Sequence, residues 1–385
     1  MKKIPYATQY IDDGDVLAVS RALKNDFLTQ GPLVGEFEKK IAKYCGAKYA
    51  VAVNSGTSAL HIACLAAGLK KGVEGITTPI TFAASANCML YCGAKPVFAD
   101  VDPDTICIDP VEIENKITKK TRVIIPVHFA GHPCDMKKIN AIAKKHKLTV
   151  IEDACHALGS KYYGEKIGSC RYSDMSVLSF HAVKHITTGE GGAVLTNNEK
   201  LYRKLVSLRT HGIVRDEAQA ARIGAWYYEM RDLGYNYRIT DFQCALGISQ
   251  AKKLPAFIKK RKEIVNTYNK AFSKIPGISA LKKQPWADPS YHIYVIRNDS
   301  AKTGVTRRAL FDMLRKNNIL VNVHYLPVYM HPYYQKSGYK NTSCKHAENY
   351  YGEAITLPLF PKMKKRDTDK VIKVLISAVK GNKKA

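Results

Sequence analysis

Three clusters in this sequence combine residue types and spacings that could do chemistry, and the first is built around Lys184. This lysine follows the apolar run 177–180 and precedes the glycine-rich turn 189–192. A lysine amine that is buried near other cations loses its proton more readily and becomes a nucleophile toward carbonyl carbons. A lone lysine after a strand is more commonly solvated, so the catalytic interpretation depends on what surrounds Lys184.

The second cluster is the segment 150–156, in which Asp153 ends an apolar run and His156 follows three residues later. A carboxylate at the end of a strand could bind a protonated heterocyclic nitrogen. His156 could then hydrogen-bond a neighbouring substituent of the same ring. The alternative is an aspartate that caps a helix and a histidine whose partners lie within the fold.

The third cluster is the segment 54–58, Asn-Ser-Gly-Thr-Ser, which lies between a strand-like run and a helix-forming stretch. The first N–H groups of a helix have no intrahelical partner and lie at the positive end of its dipole, so they suit a phosphate. Gly56 allows close approach of the backbone, and Thr57 adds a hydroxyl. The alternative is an ordinary Ser or Thr helix cap.

Alternating strand and helix patterns would position these clusters. Strands are predicted at 50–53, 96–101, 123–127, 148–151, 176–180 and 193–196, and a helix at 58–67. Strands that are apolar on both faces indicate a mainly parallel sheet covered by helices, with ligands at the carboxyl ends of the strands.

The pattern changes after residue 250, and this predicts a second domain. A Lys-rich helical stretch, 252–274, is interrupted by Pro255 and is followed by a strand at 294–296, a helix at 307–316 and a strand at 320–323. We therefore predict an N-terminal arm (1–14), a large domain (15–250) and a small C-terminal α+β domain (251–385).

Composition excludes several classes of protein. With 385 residues, 46% hydrophobic and 24% charged, the chain is neither a disordered tail, a collagen-like repeat nor a coiled-coil rod. No apolar run approaches the ~18 residues of a membrane span, and no signal core follows the first lysines, so we expect a cytoplasmic protein without a membrane partner. The ten cysteines are spread singly and have no paired zinc spacing, which predicts reduced thiols and no metal. The net charge of +27 favours anionic partners.

Taken together, these motifs resemble the DegT/DnrJ/StrS family of pyridoxal phosphate (PLP)-dependent nucleotide-sugar aminotransferases. The resemblance rests on the strand-end Asp153, on Ser-Phe-His-x-x-Lys at 179–184 and on the Gly-x-Gly-Gly turn at 189–192. It extends to the segments 28–32, 78–84 and 234–238. The resemblance implies the α/β fold of fold-type I PLP enzymes: a large domain with a mixed, mainly parallel seven-stranded sheet, plus a small C-terminal α+β domain.

The resemblance also implies roles for individual residues. Lys184 would hold PLP covalently and transfer protons, and Asp153 would pair with the pyridine nitrogen. Phe82 would stack on the ring and His156 would lie near the ring hydroxyl. The phosphate ligands implied are Gly56, Thr57, Ser179 and, from a second subunit, Asn236. A homodimer with shared active sites follows, with L-glutamate as the amino donor.

Within the family, the segments 183–188, 208–214 and 323–329 are most similar to the aminotransferases of pseudaminic acid biosynthesis. His185 stands where that group commonly has proline. The implied acceptor is a UDP-linked 4-keto-6-deoxy sugar carrying an N-acetyl group. The residues implied to line its site are Tyr6, Thr29, Asn322, His324 and Tyr325.

Three alternatives to this function remain. A dTDP- or GDP-linked keto sugar could replace the UDP-linked one. A PLP-dependent sugar dehydratase would have histidine in place of Lys184, so the lysine argues against it. A basic, non-catalytic nucleic-acid-binding protein would fit the charge. However, Lys and Arg are distributed along the chain without a known binding motif, so nucleic acid is not the expected partner.

Overall fold

The computed structural model describes residues 3–381, and its centre is a seven-stranded sheet. The strands of the whole chain are β1 (Tyr49–Val53), β2 (Glu74–Thr77), β3 (Lys95–Phe98), β4 (Thr121–Ile125), β5 (Thr149–Asp153), β6 (Lys161–Tyr162), β7 (Glu165–Lys166), β8 (Met175–Ser179), β9 (Gly192–Thr196), β10 (Ile213–Val214), β11 (Glu229–Met230), β12 (Ile278–Ala280), β13 (Ala287–Asp288), β14 (Tyr294–Asn298) and β15 (Ala354–Leu357).

Helices cover this sheet and form much of the rest of the molecule. They are α1 (Asp13–Ala22), α2 (Pro32–Cys45), α3 (Gly56–Ala66), α4 (Ala84–Tyr91), α5 (Pro110–Asn115), α6 (Met136–His146), α7 (Glu199–Arg209), α8 (Glu217–Ile223), α9 (Asp241–Phe272), α10 (Ser300–Thr303), α11 (Arg307–Lys316), α12 (Pro332–Tyr334), α13 (Lys345–Glu353) and α14 (Lys365–Gly381).

The strand order in the sheet is β1-β9-β8-β5-β4-β2-β3. The run from β8 to β3 is parallel throughout, whereas β9 is antiparallel to both of its neighbours. The large domain therefore has the predicted mixed, mainly parallel seven-stranded sheet. Because β1, β5 and β8 run in the same direction, the segments that follow them emerge at one edge.

Alternation along the strands places two apolar cores on opposite faces of the sheet. In β1, Ala50 and Ala52 belong to one core and Val51 and Val53 to the other. A third core lies around the three-stranded sheet β12-β14-β15 and includes side chains of α11 and α14. This separate core supports the prediction of a smaller C-terminal domain.

The predicted strands of the large sheet coincide with β1, β3, β4, β5, β8 and β9 to within a few residues, and the helix at 307–316 coincides with α11. The strand predicted at 320–323 is wrong: Asn322 forms only an isolated bridge with Thr356. Pro255 does not interrupt α9, which also continues across residue 250. The boundary between the two domains remains a prediction.

The helices between residues 3 and 381 include none that is long and apolar enough to cross a membrane.

Candidate active site

The carboxyl ends of β1, β5 and β8 bring the three sequence clusters together. Gly192, the first residue of β9, pairs with Val53 on one side and with Ser179 on the other. Ser179 in turn lies beside the start of α3, because a Cβ added at Gly56 would be 3.0 Å from the Ser179 Cβ atom. Gly56 and Ser179, which are 123 positions apart in the chain, thus form one side of the site.

The start of α3 has the geometry expected of an anion site. Ser55 is the N-cap residue, and its hydroxyl accepts a hydrogen bond from the backbone N–H of Ser58. This cap leaves the backbone N–H groups of Gly56 and Thr57, in the first turn, available to a ligand. The two interpretations of this segment are therefore compatible. The Ser55 hydroxyl caps the helix, while the N–H groups of Gly56 and Thr57 could bind a phosphate.

Lys184 lies in a loop whose two ends are joined by backbone hydrogen bonds. The Phe180 N–H donates to Gly191 O (2.8 Å), and the Thr188 N–H donates to Phe180 O (3.0 Å). The Lys184 side chain is half-buried, and its ammonium forms no hydrogen bond to the residues that the structure describes. Burial lowers the pKa of Lys184, and the nearby Cys155 and Asp153 side chains oppose that shift. A buried, unpaired amine of this kind is suited to nucleophilic attack.

Asp153 is buried at the end of β5 and held by two donors. Its Oδ2 accepts a hydrogen bond from the Ser85 hydroxyl (2.6 Å), and its Oδ1 accepts one from the backbone N–H of Cys155 (3.1 Å). Sequence reasoning missed Ser85, although this residue directly follows the 78–84 segment. Its role became visible only when α4 was placed against β5.

Phe82 precedes α4, and 64% of its surface is exposed. Its carbonyl oxygen accepts a long hydrogen bond (3.4 Å) from the same Ser85 hydroxyl that binds Asp153. Phe82 is therefore not packed in the core. An exposed aromatic ring can cover one face of a planar ligand.

His156 is buried beside a second histidine that the sequence did not single out. The ring centroids of His156 and His292 are 4.4 Å apart, and His292 is 5.6 Å from His185. Burial holds the pKa of all three imidazoles well below the usual value, and Lys184 adds to the effect. His156 therefore stays neutral at pH 7, with Nε2 3.4 Å from the Tyr325 hydroxyl and Nδ1 without a partner among the described residues.

Three of the five residues implied to bind the acceptor form an aromatic cluster that continues from His156. The Tyr6 and His324 rings are 5.5 Å apart, and the His324 and Tyr325 rings are 4.7 Å apart. His324 Nδ1 lies 2.8 Å from the Thr356 hydroxyl, and burial lowers the pKa of His324 to about 4. Asn322 is on the same segment, and its side chain accepts from the Val323 N–H.

Thr29 and Asn236 form no hydrogen bond with Lys184 among the residues that the structure describes. Both are exposed; Thr29 bridges to Thr240 and Asn236 bridges to Thr210. They flank a polar cavity of about 240 Å³, lined by Gln30, Gly31, Val34, Gly35, Glu38, Arg209, Thr210, Arg238 and Ile239.

These residues fit PLP. An unpaired amine, an exposed aromatic face and free N–H groups at a helix start match its aldehyde, ring and phosphate. The buried His156 Nδ1 has no hydrogen-bond partner among the described residues, and a substituent of the PLP ring could supply one. In contrast, residues 3–381 contain no group of three or more His, Cys, Asp or Glu side chains that could hold a metal ion.

Known structures define the class of protein. The fold matches that of "Helicobacter pylori PseC, aminotransferase involved in the biosynthesis of pseudoaminic acid", with a TM-score of 0.91 and 33% identity over 99% of this chain and 100% of that one. The class is thus that of the PLP-dependent aminotransferases. More narrowly, this chain belongs to the DegT/DnrJ/EryC1/StrS aminotransferase family, which matches residues 9–376.

Two relatives cover nearly the whole chain. The spore coat polysaccharide biosynthesis protein SpsC of Bacillus subtilis is 42% identical over 98% of this chain and 97% of its own length. The UDP-4-amino-4,6-dideoxy-N-acetyl-beta-L-altrosamine transaminase of Campylobacter jejuni (strain 81-176) is 40% identical over 99% of both chains. The protein is accordingly a transaminase that uses PLP.

Proposed function

We propose that this enzyme transfers an amino group from L-glutamate to carbon 4 of a UDP-linked 4-keto-6-deoxy-N-acetylhexosamine. The product would enter pseudaminic acid or related amino-sugar biosynthesis for surface glycans. The observation that carries the proposal is the half-buried, unpaired Lys184 amine beside Asp153 and His156. The Campylobacter and Helicobacter relatives support the substrate class.

PLP, when bound, supplies the carbonyl group that exchanges the amine and a ring that withdraws electrons from the reacting carbon. Lys184 Nζ would hold the cofactor covalently and, once released by the amino donor, would move a proton to and from the reacting carbon. Its lowered pKa favours this work because the free amine is then more readily present at neutral pH.

Asp153 would hold a proton on the pyridine nitrogen. Its two hydrogen bonds, from Ser85 and from the Cys155 N–H, fix the carboxylate at the end of β5. Phe82 would cover one face of the ring and exclude water from it, while neutral His156 would bind the ring hydroxyl. Gly56, Thr57 and Ser179 would bind the phosphate through backbone N–H and hydroxyl groups.

The acceptor would enter along Tyr6, Asn322, His324 and Tyr325. His324 stays neutral above about pH 4, so this wall presents aromatic surface and hydrogen-bonding groups without adding a charge. Aromatic rings of this kind can stack on a base or pack against a sugar. The diphosphate would be attracted by the positive charge of the protein as a whole.

The active unit would be a homodimer in which Asn236 of one subunit binds the phosphate held by the other. The segment before Asn236 exposes large apolar side chains, and Trp226 (79%) and Leu233 (77%) are the most exposed. Exposed apolar patches of this kind mark interaction surfaces. Thr29 would reach the partner's site from the same side.

The alternative acceptor is a dTDP- or GDP-linked keto sugar. The B. subtilis relative, which is named for spore coat polysaccharide biosynthesis, is as similar to this chain as the Campylobacter transaminase is. Similarity alone therefore does not select the sugar.

The test is an amino-transfer assay of the PLP-loaded enzyme with glutamate and a panel of UDP-, dTDP- and GDP-linked keto sugars, read by product mass. We expect the UDP-linked N-acetyl 4-keto-6-deoxy sugar to be aminated with the highest kcat/KM. A higher kcat/KM with a dTDP- or GDP-linked sugar would refute the proposed substrate and leave the transaminase chemistry intact.

A further inference from the structure

The orientation of the His156 ring is not fixed by its own hydrogen bonds. Its Nδ1 has no partner among the described residues, and its Nε2 has only a long contact, 3.4 Å, with the Tyr325 hydroxyl. A histidine that binds a ring hydroxyl must nevertheless hold one particular nitrogen in a fixed direction. Packing against neighbouring side chains must therefore supply the orientation that the hydrogen bonds do not.

In the part of the chain that the structure describes, His292 provides the ring packed most closely against His156. Their centroids are 4.4 Å apart, whereas those of Phe129 and Tyr325 are 6.4 and 6.3 Å from the His156 centroid. Both imidazoles are buried, and burial holds the pKa of each well below the usual value. Neither ring is therefore charged at neutral pH, and the two rings do not repel each other.

The backbone of His292 is held on both sides of its ring. The His292 N–H donates to Ala130 O (3.0 Å), and the His292 carbonyl oxygen accepts from Arg261 Nη1 (2.9 Å). Arg261 belongs to α9, is 1% exposed, and also donates to the carbonyl oxygens of Tyr291 (3.3 Å) and Leu359 (3.1 Å). Because hydrogen bonds from a charged donor are stronger than neutral ones, this buried guanidinium fixes residue 292 relative to α9.

A second set of contacts joins the backbone before His292 to the backbone after His156. The Ser290 N–H donates to the Ser160 hydroxyl oxygen (3.0 Å), and the Ser160 hydroxyl donates to Gly131 O (2.6 Å). Since both backbones are tied together in this way, the two imidazole rings meet at a fixed distance.

We propose that His292 is a positioning residue, which holds the His156 ring in the orientation that binds the PLP ring hydroxyl. The proposal rests on the role of His156 in the function proposed above. Without the His292 ring, His156 would turn about its side-chain bonds, and only a fraction of the molecules would present the required nitrogen. The apparent affinity for PLP falls in proportion to that fraction.

The experiment is a double-mutant cycle on the Kd for PLP, measured by absorbance titration of the full-length enzyme after its cofactor has been removed. We expect His292→Ala to raise the Kd about three- to tenfold, the range for the loss of one aromatic contact, and to shift the absorption spectrum of the PLP-loaded enzyme. In the His156→Asn background, the same change should alter the Kd less than about twofold, because the ring to be positioned is absent. His292→Phe keeps an aromatic ring and should restore most of the affinity.

His132→Ala is the matched control for the loss of a buried imidazole. The His132 ring packs against Trp286 at 5.5 Å, and its Nε2 accepts from the Gln284 N–H (3.1 Å). Its effect on the Kd should be the same in the wild type and in His156→Asn. Urea unfolding of each variant separates loss of folded protein from loss of affinity, and His292→Leu, which keeps most of the side-chain volume, enters the cycle if His292→Ala does not fold.

The outcomes distinguish this proposal from the proposed function. An unchanged Kd in His292→Ala, or an equal effect of that change in the wild type and in an impaired His156→Asn, would overturn the positioning role and leave the proposed function intact. A wild-type Kd and spectrum in His156→Asn would refute the contact between His156 and PLP, and the positioning role with it. Because no substrate is present, these results do not depend on the identity of the sugar or of the amino donor.

Discussion

Lys184 and Asp153 show how environment, rather than residue type, prepares a side chain for chemistry. Lys184 is half-buried and its amine has no hydrogen-bond partner among the described residues, and burial lowers its pKa. Asp153 is buried more deeply, and two hydrogen bonds fix the position of its carboxylate. The site thus combines a readily deprotonated amine with a firmly positioned carboxylate nearby.

Replacing Lys184 tests the proposed attachment of PLP. We expect Lys184→Ala to bind PLP without a covalent bond, so borohydride should no longer fix the cofactor to the protein, and transamination should be lost. Lys166→Ala is a matched control, because Lys166 is also half-buried but donates to Tyr44 O, away from the site. Borohydride labelling that survives in Lys184→Ala would assign the attachment to another residue.

Ser85 is expected to act as a positioning residue for Asp153. Ser85→Ala removes one of the two hydrogen bonds to the carboxylate, and a hydrogen bond to a charged group contributes about 1.5–3 kcal/mol. We expect kcat to fall about tenfold or more, with a shifted absorption spectrum of bound PLP. Ser85→Thr keeps the hydroxyl and should recover much of the activity; a normal spectrum in Ser85→Ala would contradict this role.

At the scale of the elements, the reversed strand β9 completes the site. Its first residue, Gly192, pairs with the ends of both β1 and β8, so the backbone of β9 supports the turn into α3. A Cβ at Gly192 would overlap the Ser55 carbonyl and lie 2.7 Å from the Gly56 nitrogen. Only glycine allows these two backbones to approach so closely.

Gly192→Ala is therefore expected to weaken both the fold and cofactor binding. The free energy of unfolding should fall by about 1–3 kcal/mol, the range for overpacked sites, and the Kd for PLP should rise because the phosphate-binding turn is displaced. Both quantities are measured by urea titration and by absorbance titration. Gly35→Ala in α2, where a Cβ meets nothing within 4 Å, should be neutral or stabilising. Equal behaviour of the two variants would contradict the steric argument.

Four buried histidines, which lie in segments between the helices and strands, make stability depend on pH. Burial lowers the pKa of His156, His185 and His292 below the unfolded value, and that of His324 to about 4. The unfolded chain therefore binds more protons than the folded one below about pH 6.5. The stability that these groups contribute is complete above that pH and is lost as the pH falls toward 4.

Urea unfolding should thus give a lower free energy of unfolding at pH 5.5 than at pH 7.5. Each histidine that stays neutral in the fold contributes at most about 1.4 kcal/mol per pH unit in this range. His185→Asn should show a smaller pH dependence, because it removes one of the four groups. Equal stability of the wild type at the two pH values would show that these histidines titrate normally in the fold.

At the scale of the whole molecule, the proposed dimer gives Thr29 and Asn236 of one subunit a role in the site of the other. Both residues are exposed, and the segment before Asn236 also exposes apolar residues such as Trp226 and Leu233. A subunit alone would lack one phosphate ligand, so catalysis and assembly would be coupled.

Complementation between variants tests this arrangement. Lys184→Ala and Asn236→Ala homodimers should each be impaired. After unfolding and refolding together at equal amounts, half of the dimers are mixed and each mixed dimer has one intact site, so activity should recover to about a quarter of the wild type. Mixing the same proteins without unfolding is the control. No recovery in verified mixed dimers would place Asn236 in its own subunit's site or outside any site.

The sequence by itself determined the order of the elements and the identity of the reactive residues. Apolar runs located six of the seven strands of the large sheet, and the residues after them located Asp153, Ser179 and Lys184. These features are local. A strand or the start of a helix depends on neighbouring residues, and the functional group of a lysine or an aspartate is fixed by its residue type.

Only the tertiary structure decided which residues share one environment. It brought Ser85 to Asp153 and His292 to His156. It also showed that Pro255 lies within α9 and that 320–323 is not a strand. Such contacts join residues that are distant in sequence, and burial, which sets the pKa of Lys184 and of the histidines, exists only after the chain has packed.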